Sequence, residues 1–443
     1  ICGIVLAIFW LALTPARAVE VERVVSPGGI EAWLVRDHSV PITAIEFSFS
    51  GTGGAHDPAG KAGLADMVSS LIDEGAGDLD SQAFHRKAED MSIRISFSAG
   101  METFRGSLKT LNRHRDEAAE LLRLSLTAPR FDPDAVARIR QQILVGLQQQ
   151  STDPDSIARK VWRRAVFADH PYGRPVGGTV ESVAGITIDD MNAFVASRFA
   201  RDNLIIGVVG DVTADTLGPM LDNIFGALPA THSPAPVAEA VIGSGGETYV
   251  VEMDNPQSVV VFGQEGVARD DPDYYPAYVM NYVLGGGGFA SRLYHEVREK
   301  RGLAYSVYSY LNPTRRGALI SGGVATRNDQ VATSLSVIRD EWQRMFAEGP
   351  TEAELANAKT FLNGSFPLRL SSTSSIARTL VSMQYHNLGR DYIERRAEFI
   401  DAVTLDDVRR VARRLLVPEK LTVVVVGKPQ GITPTSAAPE IKS

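Results

Sequence analysis

The chain contains two copies of one helix-to-strand segment, and this repeat constrains the fold more than any other feature of the sequence. ITIDDMNAFVASRFARDNLIIGVVGDV at 186–212 aligns without a gap with VTLDDVRRVARRLLVPEKLTVVVVGKP at 403–429. Each copy begins with a threonine suited to cap a helix, Thr187 or Thr404, and acidic residues follow in the first turn. Apolar residues then recur at helical spacing, and a β-branched run predicts a buried strand. The period is too long for a solenoid, so the repeat predicts two similar domains.

Shorter repeated pieces and the composition between them set the domain boundaries. Residues 81–98 parallel 291–309, and 131–143 parallel 350–362. We therefore expect one domain over 19–228 and a second over 246–429. Residues 229–245 are rich in Pro, Ala, Ser and Gly, which is typical of a linker. Residues 430–443 have the composition of a disordered end.

Strand and helix patterns alternate within each half. The segments AWLVRD, TAIEFSFSG, IRISFSAG and VVVFGQEG have strand character, and long amphipathic helices separate them. This pattern predicts an α+β fold of two homologous α/β sandwich domains. Each domain would have a mixed, mostly antiparallel sheet covered by helices.

The first 18 residues have the pattern of a secretory signal. An apolar stretch from Ile4 to Leu13 precedes Pro15 and the small-x-small cleavage pattern that ends at Ala18. The stretch is too short to span a membrane, so we expect cleavage after Ala18, with an uncleaved anchor as the alternative. The sequence starts with Ile rather than Met, so a start residue and a basic region are expected upstream.

Cysteine content and charge exclude several classes of function. Cys2 is the only cysteine and lies inside the predicted signal, so the mature protein would have no disulfide, thiolate metal site or cysteine nucleophile. Export without disulfides predicts a periplasmic protein, with no membrane association after signal cleavage. The net charge of −8 argues against nucleic acid as a partner.

Two further segments carry a family resemblance. GLADMVSSLIDEG at 63–75 and SRLYHEVREKRGLAYSVYS at 291–309 resemble the zinc helix and the substrate-holding segment of the inverted zinc peptidases. This is the family of pitrilysin, insulysin and mitochondrial processing peptidase, and the resemblance covers nearly the whole mature chain. Active members carry H-x-x-E-H, in which two His bind zinc and the Glu activates water.

The resemblance implies that the zinc ligands are absent here. Alignment on Gly63 puts Asp66, Ser69 and Ser70 at the His, Glu and His positions, and the third ligand falls near Gly146. None of these is a competent replacement, so we expect no metal in this chain and an ordinary polar helix face at these positions. The eight histidines include no pair at the i,i+3 or i,i+4 spacing of a helical zinc site.

The second segment implies a substrate-holding pair. Arg298 and Tyr305 match the Arg and Tyr that face the zinc site in active members, and Gly302 between them is expected to end the helix in a left-handed conformation. A guanidinium and a phenol can donate hydrogen bonds to a peptide carbonyl or its oxyanion. Without the resemblance, a solvated helix-end charge and a core-edge tyrosine are the alternative. The other basic residues of the segment are expected to be surface charges: Arg292, Lys300 and Arg301.

Two glycine-containing segments remain. Gly285, Gly286, Gly287 and Gly288 lack the Lys-Ser/Thr of a phosphate loop. They are interpreted either as a mobile loop that binds substrate, as in processing-peptidase subunits, or as a tight turn before the helix. HPYGRPVGGT at 170–179 is expected to order a connection without chemistry.

These features predict a zinc-free subunit of a heterodimeric metallopeptidase. A homologous partner with H-x-x-E-H would supply zinc and the general base, and this chain would present Arg298 and Tyr305 to unfolded peptides bound by strand addition. Without that partner it would not be a metallopeptidase. The alternatives are a non-catalytic scaffold or peptide-binding protein of the same fold, and an inactive homodimer.

Overall fold

The computed structural model describes residues 20–233, 236–243 and 245–441. The predicted signal, residues 1–18, lies outside these ranges. Among the residues described, no helix is both long and apolar enough to cross a membrane.

Thirteen strands in the described residues form two large sheets and one short hairpin. The first sheet has the order β1-β2-β8-β3-β7-β6, the second has the order β11-β12-β10-β13-β9, and β4 pairs with β5. The strands are β1 Glu22–Val25, β2 Glu31–Arg36, β3 Ile42–Ser50, β4 Gly75–Ala76, β5 Leu79–Asp80, β6 Arg94–Ala99, β7 Thr103–Leu111, β8 Leu204–Gly210, β9 Thr248–Glu252, β10 Gln257–Glu265, β11 Ala304–Asn312, β12 Leu319–Arg327 and β13 Thr422–Gly427.

The duplication predicted from sequence is present in the topology. Strands β2, β8, β3, β7 and β6 of the first sheet follow the same order as β9, β13, β10, β12 and β11 of the second. In each sheet one pair is parallel, β2 with β8 or β9 with β13, and the other neighbours are antiparallel. The predicted α+β class, with mixed and mostly antiparallel sheets, is confirmed.

Helices connect these strands and cover one face of each sheet. Thr187 and Thr404 cap α7 and α14 by accepting the backbone N–H of Asp190 and Asp407, so the two repeated helix starts have the same geometry. The α-helices are α1 Leu64–Ser69, α2 Ser81–Asp90, α3 Arg115–Thr127, α4 Pro133–Gln150, α5 Pro154–Phe167, α6 Val180–Ala184, α7 Ile188–Arg198, α8 Ala214–Phe225, α9 Tyr274–Asn281, α10 Val331–Glu348, α11 Glu352–Gly364, α12 Thr373–Tyr385, α13 Tyr392–Asp401 and α14 Leu405–Leu415.

Each half has its own apolar core between its sheet and its helices. In the first half, Phe47 and Phe49 of β3 are buried against helices that include α3 and α8. In the second half, Phe262 of β10 packs edge-to-face on the fully buried Trp342 of α10. The two cores account for the two-domain appearance of the sequence.

One helix of each half, however, packs on the sheet of the other half. Trp162 of α5 is buried in a cluster with Val424 and Val426 of β13, and Leu380 of α12 is buried in a cluster with Val209 of β8. The close contact of α12 requires a glycine in β8, since a Cβ on Gly207 would lie 2.4 Å from the carbonyl oxygen of Ala377. The halves are therefore interlocked by a reciprocal exchange of helices.

The predicted linker and the C-terminal segment also make specific contacts. In the predicted linker, the N–H of Gly243 donates to the Val166 carbonyl at 2.8 Å. In the C-terminal segment, the N–H of Thr435 donates to the Thr248 carbonyl of β9 at 2.9 Å, and Ile441 packs on the cluster around Trp162. Ile432, Ala438 and Ile441 are half-buried against the apolar clusters, while most of the residues from 430 to 440 are exposed.

Candidate functional site

Helix α1 carries the positions that the sequence resemblance aligns with a zinc helix, and it contacts α4. The hydroxyls of Ser69 and Ser70 donate to the Asp66 carbonyl oxygen at 2.7 and 3.1 Å, so the helix backbone uses both groups. Ser69 is buried, and burial raises the pKa of the half-buried Asp66 carboxyl. Gly146 on α4 has no side chain to offer. The polar face expected at these positions is thus partly buried, and its two hydroxyls donate to the backbone of their own helix.

These residues do not fit a zinc ion. Zinc takes three or four nitrogen, sulfur or carboxylate donors, and the three positions supply one carboxylate and one hydroxyl beside a glycine. Within the part of the chain that the structure describes, no three His, Cys, Asp or Glu side chains are placed to hold a metal together.

A buried carboxylate fixes the start of α1, and the sequence alone gave no signal for it. Asp57 accepts the backbone N–H groups of Gly63 and Ala65 at 3.1 and 3.2 Å. Its side chain is fully buried, with the guanidinium of Arg198 at 3.7 Å. Burial raises the pKa of Asp57 to about 7, against the opposing effect of Arg198. Asp57 therefore fixes the loop that leads into α1.

Arg298 and Tyr305 lie in contact, as the Gly302 turn between them suggests. Gly302 has a φ of 61°, and its N–H donates to the Arg298 carbonyl at 2.9 Å. The guanidinium carbon of Arg298 lies 4.4 Å from the centre of the Tyr305 ring and 4.9 Å from that of Tyr294. Such cation–π contacts orient an arginine without neutralising it. Among the described residues Arg298 forms no ion pair with a carboxylate, so its charge remains available.

The pair lies at an open surface. Tyr305 is 82% exposed at the start of β11, which among the described strands pairs only with β12 and is therefore an edge strand. Phe289 is 76% exposed and lies 5.9 Å from Arg298, measured from ring centre to guanidinium carbon. Exposed large aromatics beside an unpaired cation are typical of a binding surface. Sequence reasoning missed Phe289, although its place directly after the glycine run was a usable signal.

Arg298 lies on a π-helical turn, and another π-helical turn precedes it in the chain. Tyr282–Gly286 and Tyr294–Glu299 form π-helical turns, with i to i+5 bonds from Gly287 to Tyr282 and from Lys300 to His295. Wide turns of this kind occur often at functional sites.

The first two glycines of the run, Gly285 and Gly286, lie in the first of these π-helical turns, and Gly288 begins a short 3-10 turn. Gly285 is buried, and a Cβ there would lie 2.5 Å from the Ser309 hydroxyl oxygen of β11. Gly286 and Gly288 are exposed, and Gly287 is half-buried. Gly285 is therefore required for packing, which favours the turn interpretation at that position. The three glycines after it are the ones that a peptide could reach.

One neighbouring arginine is not the surface charge that the sequence predicts. Arg292 is 7% exposed, donates two hydrogen bonds of 2.6 Å to Glu354, and donates a third to the Gly349 carbonyl. These bonds link the 291–309 segment to α11. The sequence gave no sign of this burial, because Glu354 lies near Arg292 only in the folded chain. Lys300 and Arg301 are exposed and pair with Glu296, as expected.

The 170–179 segment connects the two halves. The Tyr172 hydroxyl donates to Glu102, and Glu102 also accepts from the Tyr385 hydroxyl at 2.8 Å and from the Arg315 N–H at 2.8 Å. Arg174 donates to the carbonyls of Ala55 and Asp57. These contacts fit the structural role expected of this segment.

Comparison with known families accounts for both halves. Residues 37–180 match the family described as Insulinase (Peptidase family M16), and residues 185–362 match the Peptidase M16 inactive domain. Together these matches cover more than two thirds of the chain. The chain belongs to peptidase family M16. This confirms the resemblance seen in the sequence.

Two relatives and two solved structures show the extent of this similarity. The non-peptidase homolog YmxG of Helicobacter pylori is 29% identical over 374 residues, 84% of this chain and 86% of the relative. An uncharacterized zinc protease of Mycobacterium leprae is 27% identical over 405 residues, 90% of each chain. An M16 inactive domain from Pseudomonas fluorescens has a TM-score of 0.86 at 27% identity, over 95% of this chain and 99% of that one. The periplasmic protease PqqL of Escherichia coli has a TM-score of 0.79 at 17% identity, over 93% of this chain and 46% of that one, and therefore shows the fold alone.

Proposed function

We propose that this M16 chain is the zinc-free subunit of a heterodimeric metallopeptidase. A homologous subunit with H-x-x-E-H supplies zinc and the general base, and this chain supplies Arg298 and Tyr305. The observation that carries the proposal is the contact of these two side chains on an exposed surface, in a chain whose zinc helix has lost its ligands. A scaffold needs no unpaired cation beside an exposed phenol.

The chemistry of the pair suits the transition state of peptide hydrolysis. The guanidinium and the phenol O–H are both donors, and neither has a carboxylate partner among the described residues. Aimed at the scissile carbonyl, they would stabilise the oxyanion that forms when water attacks this carbonyl. Tyr294, which accepts a hydrogen bond from Arg298, positions the guanidinium without touching the substrate.

The setting we propose is the periplasm, after removal of residues 1–18. The substrates are unfolded peptides bound by strand addition to a sheet edge. In this mode the affinity comes mainly from hydrogen bonds to the peptide backbone, which only an unfolded segment exposes. The edge strand β11, which begins beside Tyr305, offers one such edge.

The test is reconstitution with a partner encoded beside this chain and carrying H-x-x-E-H. The mixture is expected to hydrolyse peptides, while this chain alone does not. Arg298→Ala and Tyr305→Phe are expected to lower kcat/KM by roughly 10-fold to 10³-fold, the usual effect of losing one transition-state donor.

Arg301→Ala is the matched control, since Arg301 lies on the same helix end but binds Glu296, and it is expected to retain wild-type activity. Assembly of every variant is checked by gel filtration. If the Arg298→Ala and Tyr305→Phe complexes assemble and cleave at the wild-type rate, the chain is a scaffold.

A further inference from the structure

A large polar cavity lies between the two halves, away from Arg298 and Tyr305. It has a volume of about 730 Å³. Its floor is the part of the first sheet that α12 leaves uncovered, and this floor includes Ser96, Ser98 and Ser107 of β6 and β7. Its walls come from the second half and include tyrosines of α9 and the exposed face of α12.

The charge of the cavity is strongly one-sided. Five arginines and one acid, Glu46, line it, which gives a formal charge of +4 in a chain whose net charge is −8. Only one of these arginines has a carboxylate partner among the described residues, the Arg378–Glu46 pair at 3.3 Å. The four without one are Arg105, Arg269, Arg369 and Arg396.

Neutral groups hold two of these arginines in place. Arg269 stacks on the Tyr274 ring at 4.0 Å and donates to the Tyr275 and Tyr392 hydroxyls. Arg396 donates to the Leu362 carbonyl at 3.0 Å. Burial and the nearby cations lower the pKa of His386, which also lines the cavity, to about 4. A cluster of oriented and uncompensated guanidinium groups is suited to bind carboxylates.

The cavity also adjoins a free sheet edge. Within the described part of the chain, β6 pairs only with β7. Arg94, Ser96 and Ser98 are its exposed residues, while Ile95 and Phe97 pack on the core. A second cavity of about 530 Å³ shares Glu46, Ser96, Ser107 and Arg378 with the first. It adds Arg94 and Lys109 together with Asp73 and Glu89, so its own formal charges balance and the excess positive charge belongs to the first cavity. Side chains alternate between the two faces of a strand, so a strand added to β6 would place every second side chain on the sheet face that forms the floor of the first cavity.

We propose that β6 and this cavity bind an extended acidic peptide, with Asp or Glu at alternate positions contacting the arginines. The inference rests on the proposed function only in taking a peptide as the ligand. It adds the substrate class, segments with acidic residues at every second position, and assigns their selection to the zinc-free chain.

Binding is measured by fluorescence anisotropy on the isolated mature chain. One labelled peptide alternates Glu with Val or Thr, and a second carries Gln at each Glu position. The acidic peptide is expected to bind about 10-fold more tightly at low salt, and added salt should reduce this difference because it screens exposed charges. Methylation of alternate backbone nitrogens on the face that pairs with β6 is expected to abolish binding.

Variants test whether peptide binding depends on the arginines of the cavity or on positive surface charge in general. Arg105→Gln and Arg378→Gln are exposed changes that leave the core intact, and each is expected to weaken binding of the acidic peptide by roughly threefold to fivefold. Arg413→Gln makes the same change of charge on the exposed face of α14, outside the cavity, and is expected to have no effect. Circular dichroism confirms folding.

Several results would overturn the inference: equal binding of the Glu and Gln peptides, full binding of the methylated peptide, unaltered affinity in both cavity variants, or equally tight binding of a single-stranded oligonucleotide of matched charge. The assay involves neither partner nor hydrolysis. Acidic-peptide binding without reconstituted activity would therefore defeat the proposed function alone, and the reverse result would defeat this inference alone.

Discussion

Replacing Trp162 with Ala tests the interlocking of the two halves. Trp162 belongs to α5 of the first half, but it is 6% exposed in a cluster with β13 of the second, and its indole N–H donates to the Thr422 carbonyl at 3.4 Å. Truncating a buried Trp costs about 3–5 kcal/mol. Folded proteins have a free energy of unfolding of roughly 5–15 kcal/mol, so the loss is a large fraction of the total.

The strands in which hydrogen exchange accelerates distinguish interlocked halves from independent ones. In Trp162→Ala, hydrogen exchange is expected to accelerate in β3 of the first half and in β10 of the second. Urea unfolding is expected to remain a single transition at lower urea. Leu380→Ala makes the reciprocal change on α12 and should cost about 2–5 kcal/mol with the same pattern.

Two variants calibrate the result. Trp162→Phe keeps most of the ring and is expected to cost less than Trp162→Ala. Arg159→Ala alters a side chain on the same helix that is 58% exposed, and it should change the free energy of unfolding by no more than about 0.5 kcal/mol. A loss below about 1 kcal/mol in Trp162→Ala, or unchanged exchange in β10, would refute the interlocking.

Three further predictions concern the vacated site, the N-terminus and the buried carboxylate. The purified chain is expected to bind no stoichiometric zinc and to hydrolyse no peptide alone, because Asp66, Ser69, Ser70 and Gly146 supply no ligand set; about one zinc per chain with chelator-sensitive hydrolysis would contradict this. N-terminal sequencing of exported protein is expected to begin at Val19, and a start at or before residue 10 would rule out the predicted cleavage. Burial raises the pKa of Asp57 to about 7, so the folded chain binds this proton more tightly than the unfolded chain. Its contribution to stability is therefore greatest below about pH 4 and is lost as the pH rises through 7. The free energy of unfolding of wild type minus that of Asp57→Asn should fall over this range in chemical denaturation, and a constant difference would contradict the assignment.

The sequence alone determined the features that depend on local pattern. The repeat at 186–212 and 403–429 predicted two equivalent helix-to-strand units, and both have the same threonine cap because capping involves only the first turn. The residue types on α1 are also given by the sequence alone, since folding cannot add a donor group that the sequence lacks. Arg298 and Tyr305 were predictable as neighbours, because a single turn at Gly302 separates them.

The tertiary structure decided the features that depend on distant segments. The amphipathic pattern of α5 predicts a buried face but does not say which sheet covers it, and the sheet of the other half does so. Arg292 has the same local pattern as a surface arginine and is buried because Glu354, 62 positions away, meets it. The arginines of the basic cavity come from segments between residues 105 and 396. A local pattern fixes the conformation and the apolar face of an element, whereas burial and pairing depend on which remote residues arrive beside it.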